Sequence, residues 1–219
     1  MAKIIMDEMK RTRDSLRTML TGAQEACRLT IRLVHGEEEA EPLVTRILKL
    51  EETADNEMVR ITEELTEIVG KLFLAGLLKR AVVCDSVVAH DTEAMLDLLQ
   101  SVTENWMRML EQDPGAITDE IRILLDSMLQ NCIVMLEKAI DILDGRDISE
   151  HTLKFIMEVD GNINQANLRA HETLLLDKGE KRTVIRMIRI VKSIENLGDK
   201  IKSVASYLLF IRTGEFIKV

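Results

Sequence analysis

Aromatic residues are scarce in this chain: Trp106, Tyr207 and four Phe are all it has, and they are scattered. Scattered rings give no stacking platform for nucleobases, and a net charge of −9 is a poor match for phosphate backbones. Nucleic acid is therefore not an expected partner. Only two prolines interrupt it. Cys27, Cys84 and Cys132 are odd in number, far apart and without a CxxC, which suits reduced core thiols in the cytoplasm rather than a disulfide framework. The four histidines, His35, His90, His151 and His171, lack a Glu three residues before them, so no Glu-x-x-His pair of a di-iron site is present. His171-Glu172 lacks the second histidine of a zincin. No glycine-rich phosphate loop and no Ser/His/Asp or Cys/His grouping occurs, so the chain reads as non-enzymatic. The most apolar stretch, Ile68 to Cys84, is broken by Lys71, Lys79 and Arg80, and the charged start is unlike a signal peptide.

What is abundant is Leu, Ile, Met, Glu, Lys and Arg. Hydrophobic residues make up 46% and charged residues 31%, a composition for folded amphipathic helices with aliphatic and methionine cores. Six long helices are predicted. Helix one runs from about Lys3 to Val34 and ends at His35-Gly36, where glycine suits a left-handed cap. Helix two runs from near Pro42 to near Gly70, and helix three from about Lys71 to Leu110. Helix four follows the N-cap Thr118 and closes at Asp144-Gly145. Ser149 caps helix five, which runs to about Leu176, and helix six spans about Glu180 to Ile211.

Helices two and five carry one pattern twice. Val44, Ile47, Glu51, Ala54, Met58, Ile61 and Leu65 recur 109 residues later as Leu153, Ile156, Asp160, Ile163, Asn167, Ala170 and Leu174. Spacings of three and four make this the inward seam of a helix, and each copy places a carboxylate in it. At the same offset Gly36 falls on Gly145 and Arg60 on Arg169, whereas an offset of 108 sets Asp91 on Asp199. Internal duplication therefore predicts an all-α fold of two tandem three-helix bundles, residues 1–112 and 113–219, divided at Gln112-Asp113-Pro114-Gly115.

Four acidic stretches are the candidate site: Glu51 to Asp55, Asp85 to Asp91, Asp160 to Asn164 and Glu195 to Asp199. Acids four apart share a helix face, and two such pairs on adjacent helices offer oxygen donors to Mg²⁺, Mn²⁺ or iron. In a chain this acidic, roughly six or seven such pairs arise by chance, so seam position rather than spacing carries the argument. The alternative is a set of wet groove acids paired with Arg or Lys. Gly198, inside helix six, points to close helix approach or to space beside Asp199.

Helix six and the tail, Ile194-Glu195-Asn196-Leu197-Gly198-Asp199-Lys200 on to Thr213-Gly214-Glu215, resemble the end of PhoU proteins. There a helix carries an E-R-I-G-D-H-like stretch before a T-G-E tail. Glu51 to Asp55 resembles the acidic motif of that family's second helix, and Leu50-Glu51-Glu52-Thr53-Ala54-Asp55 resembles a PhoU-like branch associated with Pit-type carriers. The resemblance implies E(D)xxxD metal motifs on the second and third helices of each bundle. Carried over by position, it names Glu51, Asp55 and Asp91 in the first half, with Val87 in place of a ligand and Asp85 as a substitute. In the second half it names Asp160, Glu195 and Asp199, with Asn164 in place of an acid. The ions it implies are iron, manganese, zinc or magnesium. It further implies a cytoplasmic regulator of phosphate uptake and of the phosphate-starvation response. Its partners would be a Pst-type transporter ATPase or a Pit-type carrier and a sensor histidine kinase, reached at the membrane only through those partners. The exposed helix faces suit a homodimer.

Overall fold

The computed structural model describes residues 2–71, 76–112, 117–176 and 180–216. Among them lie six α-helices and no strand: α1 (Ala2–His35), α2 (Ala40–Lys71), α3 (Gly76–Gln112), α4 (Asp119–Asp144), α5 (Glu150–Leu176) and α6 (Lys181–Thr213). The all-α bundle architecture is as the repeat predicts. One limit differs: Lys71 closes α2, and α3 opens at Gly76 rather than at Lys71. The apolar stretch there has no capping signal to locate the break. Residues 113–115 of the predicted domain boundary lie outside the described residues.

Helix ends follow their capping chemistry. Thr118 accepts a hydrogen bond from the Ile121 N–H at 3.3 Å, satisfying one of the free donors of the first turn of α4. Ser149 does the same for Thr152 at 3.4 Å ahead of α5. Gly36 and Gly145, one repeat apart, end α1 and α4 with φ of 67° and 73°. In both cases the next residue donates back into the helix, Glu37 to the Arg32 carbonyl and Arg146 to the Asp141 carbonyl. A side chain at either glycine would sit in a left-handed conformation that L residues rarely adopt.

Helices α1, α2 and α3 pack on one another, α5 and α6 both pack on α4 and on each other, and the two sets meet through α1 against α4 and α3 against α6. The α3–α6 contact is the most extensive. Buried Leu16, Leu20, Trp106, Leu125, Met128 and Leu208 belong to one continuous core that runs through both sets. The seam residues are where the pattern puts them: Ile47, Ala54, Ile61 and Leu65 on α2, and Leu153, Ile156, Ile163, Ala170 and Leu174 on α5, are buried. At both junctions residues one repeat apart touch. Gln24 on α1 donates to the Ile133 carbonyl of α4 at 3.3 Å, and Lys200 on α6 donates to Asp91 on α3 at 2.6 Å. Both junctions thus pair positions one repeat apart.

All three cysteines are free and buried in this core. Burial pushes the Cys27 thiol up to about 12, so it stays protonated.

Candidate functional site in the acidic helix faces

Between α2 and α3 acids gather, and among the described residues no Lys or Arg forms an ion pair with Glu51, Asp55, Glu93 or Asp97. Glu51 and Asp55 lie on α2, one helical turn apart, and Glu93 and Asp97 lie on α3 with the same spacing. Burial, and after it the charges of Asp97 and Asp55, push the Glu51 carboxyl above its ordinary range, and a hydrogen bond shared with Asp97 acts the same way. Glu93 is pushed up by burial and by Asp97 and Asp55, while His90, with Nδ1 3.9 Å from a Glu93 oxygen, works in the opposite direction. The charges of Asp55 and Asp97 thus raise the cost of ionising Glu51 and Glu93.

Glu93 and Asp97 are absent from the sequence-predicted set. Their Glu-x-x-x-Asp spacing was the signal. An offset of 108, which sets Asp91 on Asp199, obscures it. The buried pairs Val88 and Leu197, Thr92 and Ile201, and Met95 and Val204 keep the third helices at the same 109 offset as the second helices. In that register His90 matches Asp199, Asp91 matches Lys200 and Glu93 matches Lys202.

The second half is organised differently. Asp160 on α5 is buried, and Lys202 on α6 donates to its Oδ2 at 2.8 Å and to Asp199 Oδ1 at 2.9 Å. Asn164 donates to the same Asp160 oxygen at 3.4 Å. Glu195 is ion-paired with Lys192 one turn earlier. Burial opposes the charge on Lys202, but the bonds to Asp160 and Asp199 outweigh it and raise its pKa. Gly198 permits this close approach: a Cβ there would lie 3.0 Å from Ile163 Cδ1 and 3.2 Å from Asp160 Oδ1.

Asp91 belongs to the α3–α6 contact, where Lys200 Nζ lies at 2.6 Å and Ser203 Oγ at 3.0 Å. This pair lines an open groove of about 650 Å³ that Asp97 enters from one side and Asp199 from the other. Asp85 lies elsewhere. It is fully buried in a small cavity with Arg13, Leu143, Leu208 and Arg212. Burial raises its carboxyl to about 6 even though Arg13 and Arg212 pull the other way.

Chemically the two halves differ in what they could hold. Glu51, Asp55, Glu93 and Asp97 are hard oxygen donors with mutually repelling charges, a set that suits a divalent cation. As the side chains stand, no group of three His, Cys, Asp or Glu among the described residues is arranged to hold a metal ion. In the second half the donor set does not suit a metal, because an ammonium already occupies the space between Asp160 and Asp199.

Solved structures similar to this fold include PhoU proteins. Residues 125–208 match the PhoU domain family model. Over 179 residues, 81% of this chain, it is 23% identical to a Zymomonas mobilis protein described as a phosphate-specific transport system accessory protein PhoU homolog. The match spans 65% of the length of that relative. The crystal structure of PhoU from Pseudomonas aeruginosa superposes with a TM-score of 0.85 at 16% identity, over 95% of this chain and 99% of that one. The phosphate transport system regulatory protein PhoU from Streptococcus pneumoniae superposes with a TM-score of 0.81 at 13% identity, over 97% and 98%. The chain has the fold of these PhoU structures along nearly its whole length, and the match to the family model lies in its second half.

Proposed function

We propose that this chain is a non-catalytic cytoplasmic regulator of phosphate uptake and phosphate-starvation signalling, acting by protein–protein contact through its acidic helix faces. The observation that carries the reading is the conjunction of a PhoU fold with four facing carboxylates, Glu51, Asp55, Glu93 and Asp97, on α2 and α3. Those four would hold a divalent cation. When bound, it would neutralise the face and offer open coordination positions to a partner's acidic or carbonyl groups. The chain's own contribution is to fix α2 and α3 side by side through the buried seam of Ile47, Ala54 and Ile61, so that the acids share one surface.

No helix among the described residues is long and apolar enough to cross a membrane, so contact with a transporter would be made at that transporter's own exposed surface. The partners proposed are a Pst-type transporter ATPase or a Pit-type carrier, with a sensor histidine kinase as the signalling arm. In cells lacking the chain, the starvation response should stay on at high external phosphate, and reintroducing the wild type should switch it off. Restoration of control by a variant with all four acids replaced by alanine would remove the acidic face from the mechanism. No effect of removing the chain would contradict the regulatory reading itself.

A further inference from the structure

We infer that the Lys202 ammonium is a built-in cation that closes the acidic face of the second half, in the place where the first half is open to a metal ion. The 109-residue register carries the argument. It sets Glu51 on Asp160, Asp55 on Asn164, His90 on Asp199 and Glu93 on Lys202. His90 and Glu93 form a weak pair one turn apart on α3 at 3.9 Å, and Asp199 and Lys202 form the matching pair on α6 at 2.9 Å. The polarity is reversed: the carboxylate that faces α2 in one half has become the cation that faces α5 in the other.

That reversal changes what the seam acid meets. Glu51 is surrounded by like charges, whereas Asp160 receives a lysine donor at 2.8 Å and an amide donor at 3.4 Å. A lysine has three donors and no acceptor, so a single Nζ can bridge carboxylates on two helices as a small cation does. The Asp160 arm of the bridge is sheltered from water, with the Lys202 side chain 18% exposed and that of Asp160 7%, whereas the Asp199 arm is open, its side chain 52% exposed. Screening by salt is weak for the Asp160 arm. The absence of a side chain at Gly198 leaves room for Ile163 and Asp160 to lie against α6. Lys202 therefore positions α5 against α6 permanently, without dependence on metal supply. The contrast with the first half rests on the ion-binding reading above, but the lysine bridge is independent of it.

The test uses the full chain with Glu51→Ala and Asp97→Ala, so that binding by the first half does not enter. With Lys202 intact, calorimetric titration with MnCl₂ should show no binding in the micromolar range. Adding Lys202→Glu, which supplies the missing carboxylate beside Asp160 and Asp199, should create Mn²⁺ binding at least tenfold tighter and a melting temperature that rises with Mn²⁺. Lys202→Met should melt below its parent and gain no comparable Mn²⁺ binding. If Lys202→Glu does not fold alone, recovery of helicity on refolding with Mn²⁺ supports the inference, and failure to recover overturns it. Mn²⁺ binding that is equally tight with Lys202 intact overturns it, as does a folded Lys202→Glu variant that binds no Mn²⁺. An unchanged melting temperature in Lys202→Met does the same.

Discussion

Asp91 on α3 and Lys200 on α6 are one repeat apart in the sequence and meet as an ion pair at 2.6 Å where the two halves cross. Two aspartates at these positions, one of them buried, would repel. Lysine at position 200 instead makes an attraction across the α3–α6 contact. Asp91 is buried, while Lys200 can turn partly to water, so Asp91→Ala should cost about 1–2 kcal/mol in urea unfolding. Lys200→Asp should cost more than Asp91→Ala. The exchanged pair, Asp91→Lys with Lys200→Asp, should recover part of that loss. No recovery in the exchanged pair would mean that packing, not charge, sets this contact.

Two glycines inside helices should respond in opposite directions. Gly161 in α5 has open space where a Cβ would go, so Gly161→Ala should stabilise by about 0.5–1 kcal/mol through helix propensity. Gly198 in α6 faces Ile163 and Asp160 at 3.0 and 3.2 Å, and both are buried. Gly198→Ala should therefore lose about 1–2 kcal/mol despite the better helix former, because α5 must shift. Thermal melts of the two variants check the pair. Equal stabilisation by both would show that the α5–α6 contact is slack.

Asp85 should make the chain less stable as pH rises. Its carboxyl lies at about 6 in the fold against an ordinary value of 3.8, so between those values the folded chain keeps a proton that the unfolded chain releases. The stabilising share is complete below the ordinary value and is lost as pH rises through about 6. Asp85→Asn should then be more stable than wild type at pH 8, by about 1–3 kcal/mol, with the advantage shrinking toward pH 4. A variant less stable than wild type at pH 8 would show that attraction to Arg13 and Arg212 outweighs burial.

Much of this fold was legible because helix ends and inward seams carry local signals. Thr118 and Gly145 mark both ends of α4, and the seams of α2 and α5 are buried as their spacing requires. The start of α3 was not legible, because the residues around Gly70 and Gly76 form one apolar stretch without a capping side chain. Glu51 and Asp55 were visible as seam and near-seam acids. Glu93 and Asp97 are hidden in the sequence because acid-to-acid matching of α3 and α6 does not apply to them: the 109-residue register sets Glu93 on Lys202. Pairing across helices leaves no local trace: Lys202 and Asp160 are 42 residues apart, and only the packing of α5 on α6 brings them together.

If the face of Glu51, Asp55, Glu93 and Asp97 takes a divalent cation and the Lys202 bridge excludes one, only the first half should bind Mn²⁺. Calorimetric titration of the wild-type chain with MnCl₂, repeated on Glu51→Ala/Asp97→Ala and on Glu195→Ala, tests it most directly. Saturable Mn²⁺ binding to the wild type should disappear in Glu51→Ala/Asp97→Ala and be unchanged in Glu195→Ala. Binding that survives loss of Glu51 and Asp97, or that is lost with Glu195, would contradict it.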